Sequence, residues 1–170
     1  MPSPVYRVEA LVAAKHNRAG FKSASAALNT YIQQHARKDA ERHMAAPFVM
    51  VDEAAPTEIV GYYTLSNFTV ELAELPAEVT KHLPKYPRLP ATLIGRLARG
   101  EHYPGTGSLL LVDALARAFA QTKMSGSLAV VVDAKDDAAI AFYAKHGFAT
   151  LGAQPNRMFL SMGSVQRLFE

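Results

Sequence analysis

Two glycines in front of an apolar helix pattern are the residues of this sequence whose spacing most favours chemistry. Gly105 and Gly107 stand one residue apart in "HYPGTGSLLLVDALARAF", and the helical pattern begins directly after them. The first N–H groups of a helix have no partner within the helix, and the helix dipole is positive there, so such a loop binds anions. A tight turn between a strand and a helix is the alternative interpretation of a single glycine pair.

The residues around the glycine pair exclude two common phosphate-binding motifs. A P-loop needs Lys and then Ser or Thr directly after its last glycine, whereas Ser108 and Leu109 follow Gly107. A dinucleotide-binding fingerprint needs a third glycine, and Leu110 stands in its place. A pyrophosphate held by backbone N–H groups alone, as in coenzyme A, remains compatible with this loop.

The composition excludes several other classes of chemistry. The chain has no cysteine, which excludes disulfides, thiolate metal sites and a cysteine nucleophile. Its histidines are scattered without a paired spacing, so we expect no metal site. The net charge of +3 fits either a solvated surface or a polyanionic partner. No apolar run is long enough for a bilayer and the N-terminus has no signal-peptide pattern, so we expect a cytoplasmic protein with no membrane association.

The elements that must position the glycine loop follow from hydrophobic periodicity. The pattern predicts one domain spanning 1–170, with strands over 6–12, 47–53, 58–72, 91–99, 127–134 and 157–163. It predicts helices over 23–43, 77–82, 107–123 and 136–147, the last with Asp136 and Asp137 at its start and Gly147 at its end. The order β-α-β-β-α-β-α-β-α-β indicates a three-layer α/β arrangement.

Several stretches together resemble a known family. They are "ALNTYIQQHARKDAERH", "IVGYYTLS", "LPKYP", "GRLAR", "LLLVDAL", "AVVVDAKDDAAIAFYAKHGF" and "RMFLSM". From about Phe21 to Phe169 the chain resembles the GNAT N-acetyltransferases, and among them the TacT-like toxins of bacterial type II toxin–antitoxin modules. The resemblance implies the GNAT acyl-CoA N-acyltransferase fold, with a mixed central sheet and helices on both faces. It also implies that the chain is an N-acetyltransferase with acetyl-CoA as co-substrate.

The resemblance implies which residues bind acetyl-CoA. The family's pyrophosphate loop reads Arg/Gln-x-x-Gly-x-Gly/Ala and matches residues 102–107, with His102 in place of Arg or Gln. Pro104 removes one N–H from this loop, and the segment before it is shorter than is usual. The implied cofactor-binding residues are the backbone groups of Leu97, Ala98 and Arg99, the loop residues His102, Tyr103, Gly105, Thr106, Gly107 and Ser108, and Phe142.

The resemblance also assigns the role of general acid to Tyr143. An unperturbed tyrosine has a pKa of about 10 and keeps its proton near pH 7, so it can protonate a leaving thiolate whose thiol has a pKa of about 8.5. Helical spacing with Ile140 and Ala144 makes a core aromatic the alternative. Without cysteine there is no acetyl-cysteine relay, which leaves direct transfer in a ternary complex. Glu101 and His102 are the candidate general bases, and each has a loop residue as its alternative interpretation.

The implied acceptor is the α-amine of aminoacyl-tRNA, and the implied partners are a ribbon-helix-helix antitoxin and, in many members, a second copy of the chain. Phosphate contacts require Lys and Arg, and the candidates are Arg37, Lys38, Arg42, Lys85, Arg88 and Arg96. An α-amine with a pKa near 8 is about a tenth neutral near pH 7, which favours it over a lysine. The alternatives are N-acetylation of a small-molecule or protein amine, or a catalytically impaired GNAT-fold protein that only binds an antitoxin.

Overall fold

The computed structural model describes residues 3–170, and the chain divides into two compact units. Among the described residues, the first unit comprises 3–66 and Gly95–Ala114, and the second comprises Asn67–Ile94 and Leu115–Glu170. Each unit has an apolar cluster of its own. The prediction of a single domain over 1–170 stays a prediction.

The strands form one mixed seven-stranded sheet in the order β1-β2-β3-β4-β5-β7-β6. Strands β4 and β5 are parallel, whereas β1–β2, β2–β3, β5–β7 and β6–β7 are antiparallel pairs. This confirms the predicted α/β class with a mixed central sheet. The strands are β1 (Tyr6–Ala10), β2 (Ala46–Asp52), β3 (Gly61–Glu71), β4 (Arg88–Arg99), β5 (Ala129–Asp133), β6 (Ala149–Thr150) and β7 (Arg157–Ser161).

The helices follow the predicted order, with the segment predicted as one helix over 23–43 divided into three, and with a short 3-10 turn and a C-terminal helix added. They are α1 (Ala26–Thr30), a π-helical turn (Tyr31–His35), α2 (Ala36–Glu41), a 3-10 turn (Leu72–Glu74), α3 (Ala77–Thr80), α4 (Thr106–Gln121), α5 (Asp137–Lys145) and α6 (Met162–Leu168). The predicted strand over 157–163 is wrong at its end, because the Ser161 side chain accepts the Ser164 N–H at 3.2 Å and starts α6. No helix among residues 3–170 is both long and apolar enough to cross a membrane.

The core of the first unit lies on both faces of its part of the sheet. Tyr62 on β3 packs with Tyr31, Ile32 and other side chains of the helical segment 26–41. Its neighbour Tyr63 points to the other face, where its hydroxyl is 2.5 Å from Asp113 on α4. The helical segment 26–41 and α4 therefore cover opposite faces of this unit's strands, as the resemblance implies for helices on both sides of the sheet.

A close approach of β3 to β4 requires glycine at position 61. A Cβ on Gly61 would lie 2.9 Å from the carbonyl oxygen of Ala98 and 2.6 Å from Cδ1 of Leu110. Any larger residue would push β3 away from the end of β4. The end of β4 carries the backbone groups that the resemblance assigns to cofactor binding, so this contact fixes their place within the first unit.

The second unit packs around apolar side chains from the sheet and the chain segments that cover it. Its cluster includes Val70, Leu89, Val131 and Phe159. Its helix α5 begins where the Asp136 carboxylate accepts the Ala139 N–H at 2.8 Å, and it ends at Lys145, two residues before Gly147. This confirms both predicted ends of that helix.

Candidate functional site

The glycine loop lies in the first unit and continues into the first turn of α4, which begins at Thr106, between the two glycines. Gly105 has φ +84°, a left-handed conformation that costs L-residues about 1–2 kcal/mol but that glycine adopts freely. No atom lies within 4 Å of the place that a Cβ would take, so backbone conformation rather than space requires glycine here. The sequence left two interpretations of the glycine pair, a tight turn and an anion-binding loop. Both are compatible with this conformation.

The first turn of α4 offers backbone donors to a ligand. The Thr106 side chain is buried, and its hydroxyl donates to the Tyr103 carbonyl oxygen at 2.7 Å instead of capping the helix. Gly105 has no side chain with which to cap it. The N–H groups of Gly107 and Ser108 lie in the first turn, where no carbonyl group precedes them within the helix. The helix has 16 residues, so its dipole also favours an anion at this end.

A cleft of about 490 Å³ opens beside the residues that precede the glycine loop. This volume lies in the range of small-molecule sites. The Glu101 N–H donates to the Lys22 carbonyl oxygen at 2.9 Å, and the Gly100 N–H donates to that of Val60 at 2.7 Å. These bonds hold three separate chain segments around the cleft, which is lined by Gly20, Lys22, Glu58, Ile59, Gly100, Glu101, His102 and Tyr103.

The cleft brings together two of the predicted cofactor-binding residues and one residue that sequence reasoning missed. His102 and Tyr103 were predicted, whereas Lys22 stands in a loop with no motif around it. The two carboxylates of the cleft have partners: Glu58 accepts from Asn17 at 3.3 Å, and Glu101 lies 3.4 Å from His102. The lysine ammonium is therefore the charged group of the cleft for which neither an ion pair nor a hydrogen bond is found among residues 3–170.

The backbone groups predicted for the cofactor's pantetheine arm lie at the end of β4, close to the glycine loop along the chain. Ala98 is buried, Leu97 is half-buried and Arg99 is exposed. The Arg99 side chain donates back to the Gly100 carbonyl oxygen at 3.4 Å. These residues and the loop 102–108 all belong to the first unit, so the structure places most of the predicted cofactor set within one unit.

Tyr143 lies on α5 in the second unit, with a buried ring and an accessible hydroxyl. The residue is 7% exposed, and its ring packs 5.3 Å from that of Phe142 and 5.4 Å from that of Phe148. No hydrogen bond among residues 3–170 engages the hydroxyl. Within that range His16 Nε2 is the one fully buried side-chain N or O atom that has no hydrogen-bond partner. The Tyr143 hydroxyl has no such partner either and is not fully buried, so it touches solvent. The packed core aromatic and the proton donor are therefore compatible interpretations of this residue.

Burial raises the pKa of Tyr143 to about 12. Apolar surroundings disfavour the charged phenolate, which is why the shift is upward. The hydroxyl therefore keeps its proton throughout the neutral range. Near pH 7 it can donate a proton but cannot serve as a base.

Five of the six cations predicted to contact nucleic acid are exposed. In the first unit, Arg37 and Lys38 lie on α2 and Arg42 follows it, with Arg37 paired to Glu41 at 3.5 Å. In the second unit, Lys85 and Arg88 lie before and at the start of β4, with Arg88 paired to Glu71 at 3.5 Å. Exposed pairs of this kind contribute little to stability, so these side chains remain available to a polyanion.

Arg96 differs from the other five cations. It is half-buried on β4, and its guanidinium lies 3.8 Å from the centre of the Tyr31 ring. Sequence reasoning missed this contact, because nothing in the local pattern links β4 to the helical segment 26–41.

The described part of the chain contains no candidate metal site. No group of three or more His, Asp or Glu side chains between residues 3 and 170 is placed to hold an ion. His16 is buried, and its Nδ1 accepts the Val12 N–H at 3.0 Å. The expectation of a metal-independent protein stays a prediction.

Comparison with known proteins finds relatives along nearly the whole chain. No known protein-family profile matches it. It is 26% identical over 170 residues to the probable toxin TacT of Sinorhizobium fredii, covering 95% of this chain and 93% of the relative. It is 30% identical over 150 residues to the tRNA-acetylating toxin of Mycobacterium tuberculosis, covering 87% of each chain.

Solved structures with the same fold include complexes. AtaT complexed with acetyl-methionyl-tRNAfMet has a TM-score of 0.89 at 26% identity, covering 98% of this chain and 100% of the other. A mutant AtaT bound to the C-terminus of the antitoxin AtaR and acetyl-CoA has a TM-score of 0.81 at 21% identity, covering 97% and 98%. At that lower identity the likeness establishes the shared fold.

Proposed function

This chain belongs to the family of bacterial tRNA-acetylating toxins, and we propose that it transfers the acetyl group of acetyl-CoA to the α-amine of an aminoacyl-tRNA. The chain is an acetyltransferase with the GNAT fold. The observation that carries the proposal is its 30% identity to a tRNA-acetylating toxin over 87% of both chains. The α-amine is the acceptor because it is far more often neutral near pH 7 than a lysine amine.

Backbone donors of the first unit hold acetyl-CoA in this proposal. The Gly107 and Ser108 N–H groups bind the pyrophosphate, and the backbone of 97–99 binds the pantetheine amides. Thr106 fixes the loop through its bond to the Tyr103 carbonyl oxygen. Because His102 replaces the family's Arg or Gln, the Lys22 ammonium in the same cleft supplies the missing positive charge. The Phe142 ring packs against Tyr143 and orients it on α5.

Replacing Lys22 with Met is expected to weaken acetyl-CoA binding by about threefold to tenfold, the effect of one partly screened phosphate contact. Calorimetric titration with acetyl-CoA at low and high salt measures the change, which should shrink as salt rises. Lys123→Met, at an exposed lysine just after α4, is the matched control. Equal affinities for the two variants would exclude Lys22 from the cofactor site.

Tyr143 supplies the proton that the leaving sulfur needs. Direct transfer forms one C–N bond and breaks the thioester C–S bond, and the sulfur takes a proton as it leaves. A tyrosine whose pKa is raised to about 12 holds that proton ready across the working range. The amine loses its own proton to solvent before or during attack, and the Tyr143 phenolate regains a proton from solvent afterwards, which its raised pKa favours. Support for this role comes from the resemblance and from the accessible hydroxyl.

The raised pKa of Tyr143 should determine how kcat/KM depends on pH at the alkaline end. We expect the rate to rise until the α-amine is neutral, at about pH 8, and then to stay level beyond about pH 10. An unshifted tyrosine would begin to lose its proton near pH 10, and the rate would fall there. Initial rates on an aminoacyl-tRNA analogue with a stable amide link measure this without ester hydrolysis. A decline centred near pH 10 would show a tyrosine with an unshifted pKa and would contradict a buried tyrosine donor.

The proposed function also implies binding partners and a cellular location. The exposed cations Arg37, Lys38, Arg42, Lys85 and Arg88 contact tRNA phosphates in this proposal, as does Arg96. As the family resemblance implies, we also propose that a ribbon-helix-helix antitoxin binds the toxin and that the chain can pair with a second copy of itself. Charged tRNA is present in the bacterial cytoplasm, which is where we place the protein.

Acetylation assays with labelled acetyl-CoA test the function. We expect label in methionyl-tRNA or another aminoacyl-tRNA, and none in uncharged tRNA, because the α-amine belongs to the amino acid. Label appearing only in small amines or in protein lysines would favour the alternative acetyltransferase. Binding of an antitoxin without any transfer would identify an impaired enzyme, which the substitutions His102 and Pro104 in the loop would explain.

A further inference from the structure

Tyr86 is the one exposed tyrosine among the seven of this chain. Its exposed fraction is 64%, whereas four of the others are buried and the remaining two are half-buried. Among residues 3–170 neither a hydrogen bond nor a contact with another ring engages its side chain. A ring that packs against nothing in its own chain presents a flat apolar surface that a ligand can cover.

The backbone on both sides of Tyr86 is held in place within the second unit. Leu83 and Leu89 pack in the apolar cluster of that unit, and the Leu72 N–H donates to the Pro87 carbonyl oxygen at 2.9 Å. Proline restricts the residue before it to extended conformations, and that residue is Tyr86 itself. A tyrosine side chain has only two χ angles, so a ring on such a backbone loses little freedom when a ligand covers it.

The segment that carries Tyr86 is positively charged. Over residues 75–90 three cations outnumber a single acidic residue, and all four are exposed: Lys81, Lys85, Arg88 and Glu78. Lys85 and Arg88 lie within two residues of Tyr86, a span of about 7 Å in extended chain. Long cationic side chains at that spacing can reach the phosphates on either side of a nucleotide whose base lies on the ring.

An exposed ring between cations fits an unpaired nucleobase better than it fits an apolar protein surface. Proteins that bind single-stranded nucleic acid combine positive groups, which follow the backbone, with aromatic side chains on which the bases stack. The core of a protein–protein interface is instead depleted of charged residues. Here a cation stands one residue before Tyr86 and another stands two residues after it, so the surroundings favour RNA.

We propose that Tyr86 is a base-stacking residue that binds an unpaired nucleobase of the tRNA, between the phosphate contacts of Lys85 and Arg88. The proposal rests on the proposed function, because tRNA is the RNA that this function requires. Stacking adds a property that phosphate contacts alone do not supply. Neighbouring bases cover both faces of a base within a double helix, so the Tyr86 ring selects unpaired nucleotides over duplex RNA.

The first test measures the binding of uncharged tRNA, which requires no acetyl transfer. Tyr86→Ala is expected to weaken this binding by about fivefold or more, the usual loss for one stacked base. Tyr86→Phe keeps the ring and should stay within about twofold of the wild type. The salt dependence of binding should not change in Tyr86→Ala, whereas Arg88→Gln should lose about one ion equivalent. Met124→Ala, at a residue of the second unit that is 83% exposed, is the matched control and should bind like the wild type.

The second test detects the stacked base directly, because the chain contains no tryptophan. Tyr86→Trp introduces a single indole, whose fluorescence should be quenched when a base stacks on it. A short unstructured single-stranded RNA should quench this fluorescence strongly, and the same RNA in a duplex should quench it weakly. Met124→Trp, the matched control, should be quenched by neither. Equal quenching of Tyr86→Trp by both RNAs, or no quenching by either, would overturn the proposal.

The remaining outcomes separate the ligands that could cover the ring. Unchanged tRNA affinity in Tyr86→Ala would overturn the proposal. A loss of acetyl-CoA affinity alone, measured by calorimetry, would assign the ring to the adenine of the coenzyme and would also overturn it. A wild type that binds tRNA but acetylates none of its aminoacyl forms would instead contradict the proposed function. The fluorescence of Tyr86→Trp would still decide the role of Tyr86 in that case.

Discussion

Tyr143→Phe is expected to lower the rate of acetyl transfer to aminoacyl-tRNA by about 10²-fold to 10⁴-fold, the usual contribution of a positioned proton donor. The phenylalanine ring fills the same space between Phe142 and Phe148, so the substitution removes the hydroxyl and nothing else. Single-turnover transfer with saturating acetyl-CoA measures the chemical step. Expression without an antitoxin should arrest growth for the wild type and not for this variant.

Stability and cofactor affinity supply the controls for this variant. The Tyr143 hydroxyl has no hydrogen-bond partner among residues 3–170, so its removal should change the free energy of unfolding by less than about 1 kcal/mol. Acetyl-CoA affinity should stay within about twofold, because a group that acts mainly in the transition state contributes little to ground-state binding. Tyr6→Phe on β1 is the matched tyrosine variant and should retain full activity. If Tyr143→Phe transferred acetyl groups at the wild-type rate, Tyr143 would be a core aromatic only.

Segments with a strong repeating pattern could be predicted from the sequence within two or three residues. Helix α4 was expected over 107–123 and lies at Thr106–Gln121, because its apolar residues recur at helical spacing over four turns. Strand β5 was expected over 127–134 and lies at Ala129–Asp133, because a continuous apolar run of that length fits a buried strand. In both cases the signal lies within the element itself.

The missed elements lack such a signal. Strand β6 has only two residues, Ala149 and Thr150, which is too short for any period. The start of α6 depends on the Ser161 cap, and the preceding apolar residues favour a strand through that point. The π-helical turn over Tyr31–His35 breaks the step of four that predicted one regular helix over 23–43, and no residue type marks it.

The residues of the candidate site also differ in whether the sequence alone could identify them. The glycine loop and Tyr143 could be singled out because their residues are contiguous and match the pattern of a family. Lys22 beside His102, and Arg96 on Tyr31, depend on contacts between segments that are distant in sequence. Composition and spacing gave Arg96 only as one cation among six, whereas its partial burial and its stacking on the Tyr31 ring distinguish it from the others.

Gly105→Ala is expected to weaken acetyl-CoA binding by about tenfold, because alanine at φ +84° costs about 1–2 kcal/mol. The loop is exposed and has no atom near the new methyl group, so the chain can relieve this strain by changing φ. That change would redirect the N–H groups of Gly107 and Ser108, which the proposal assigns to the pyrophosphate. Calorimetric titration with acetyl-CoA measures the loss, and thermal unfolding shows whether the strain remains in the fold instead.

Gly105→Asn is the variant that separates backbone conformation from the mere presence of a side chain. Asparagine adopts the left-handed region more readily than alanine and is larger, so an affinity within about threefold of the wild type would trace the alanine effect to φ. A loss for asparagine as large as for alanine would indicate instead that a side chain obstructs the ligand. Equal acetyl-CoA affinities for the glycine, alanine and asparagine forms would mean that the first turn of α4 does not hold the pyrophosphate. The cleft beside Lys22 would then have to bind the cofactor without help from that turn.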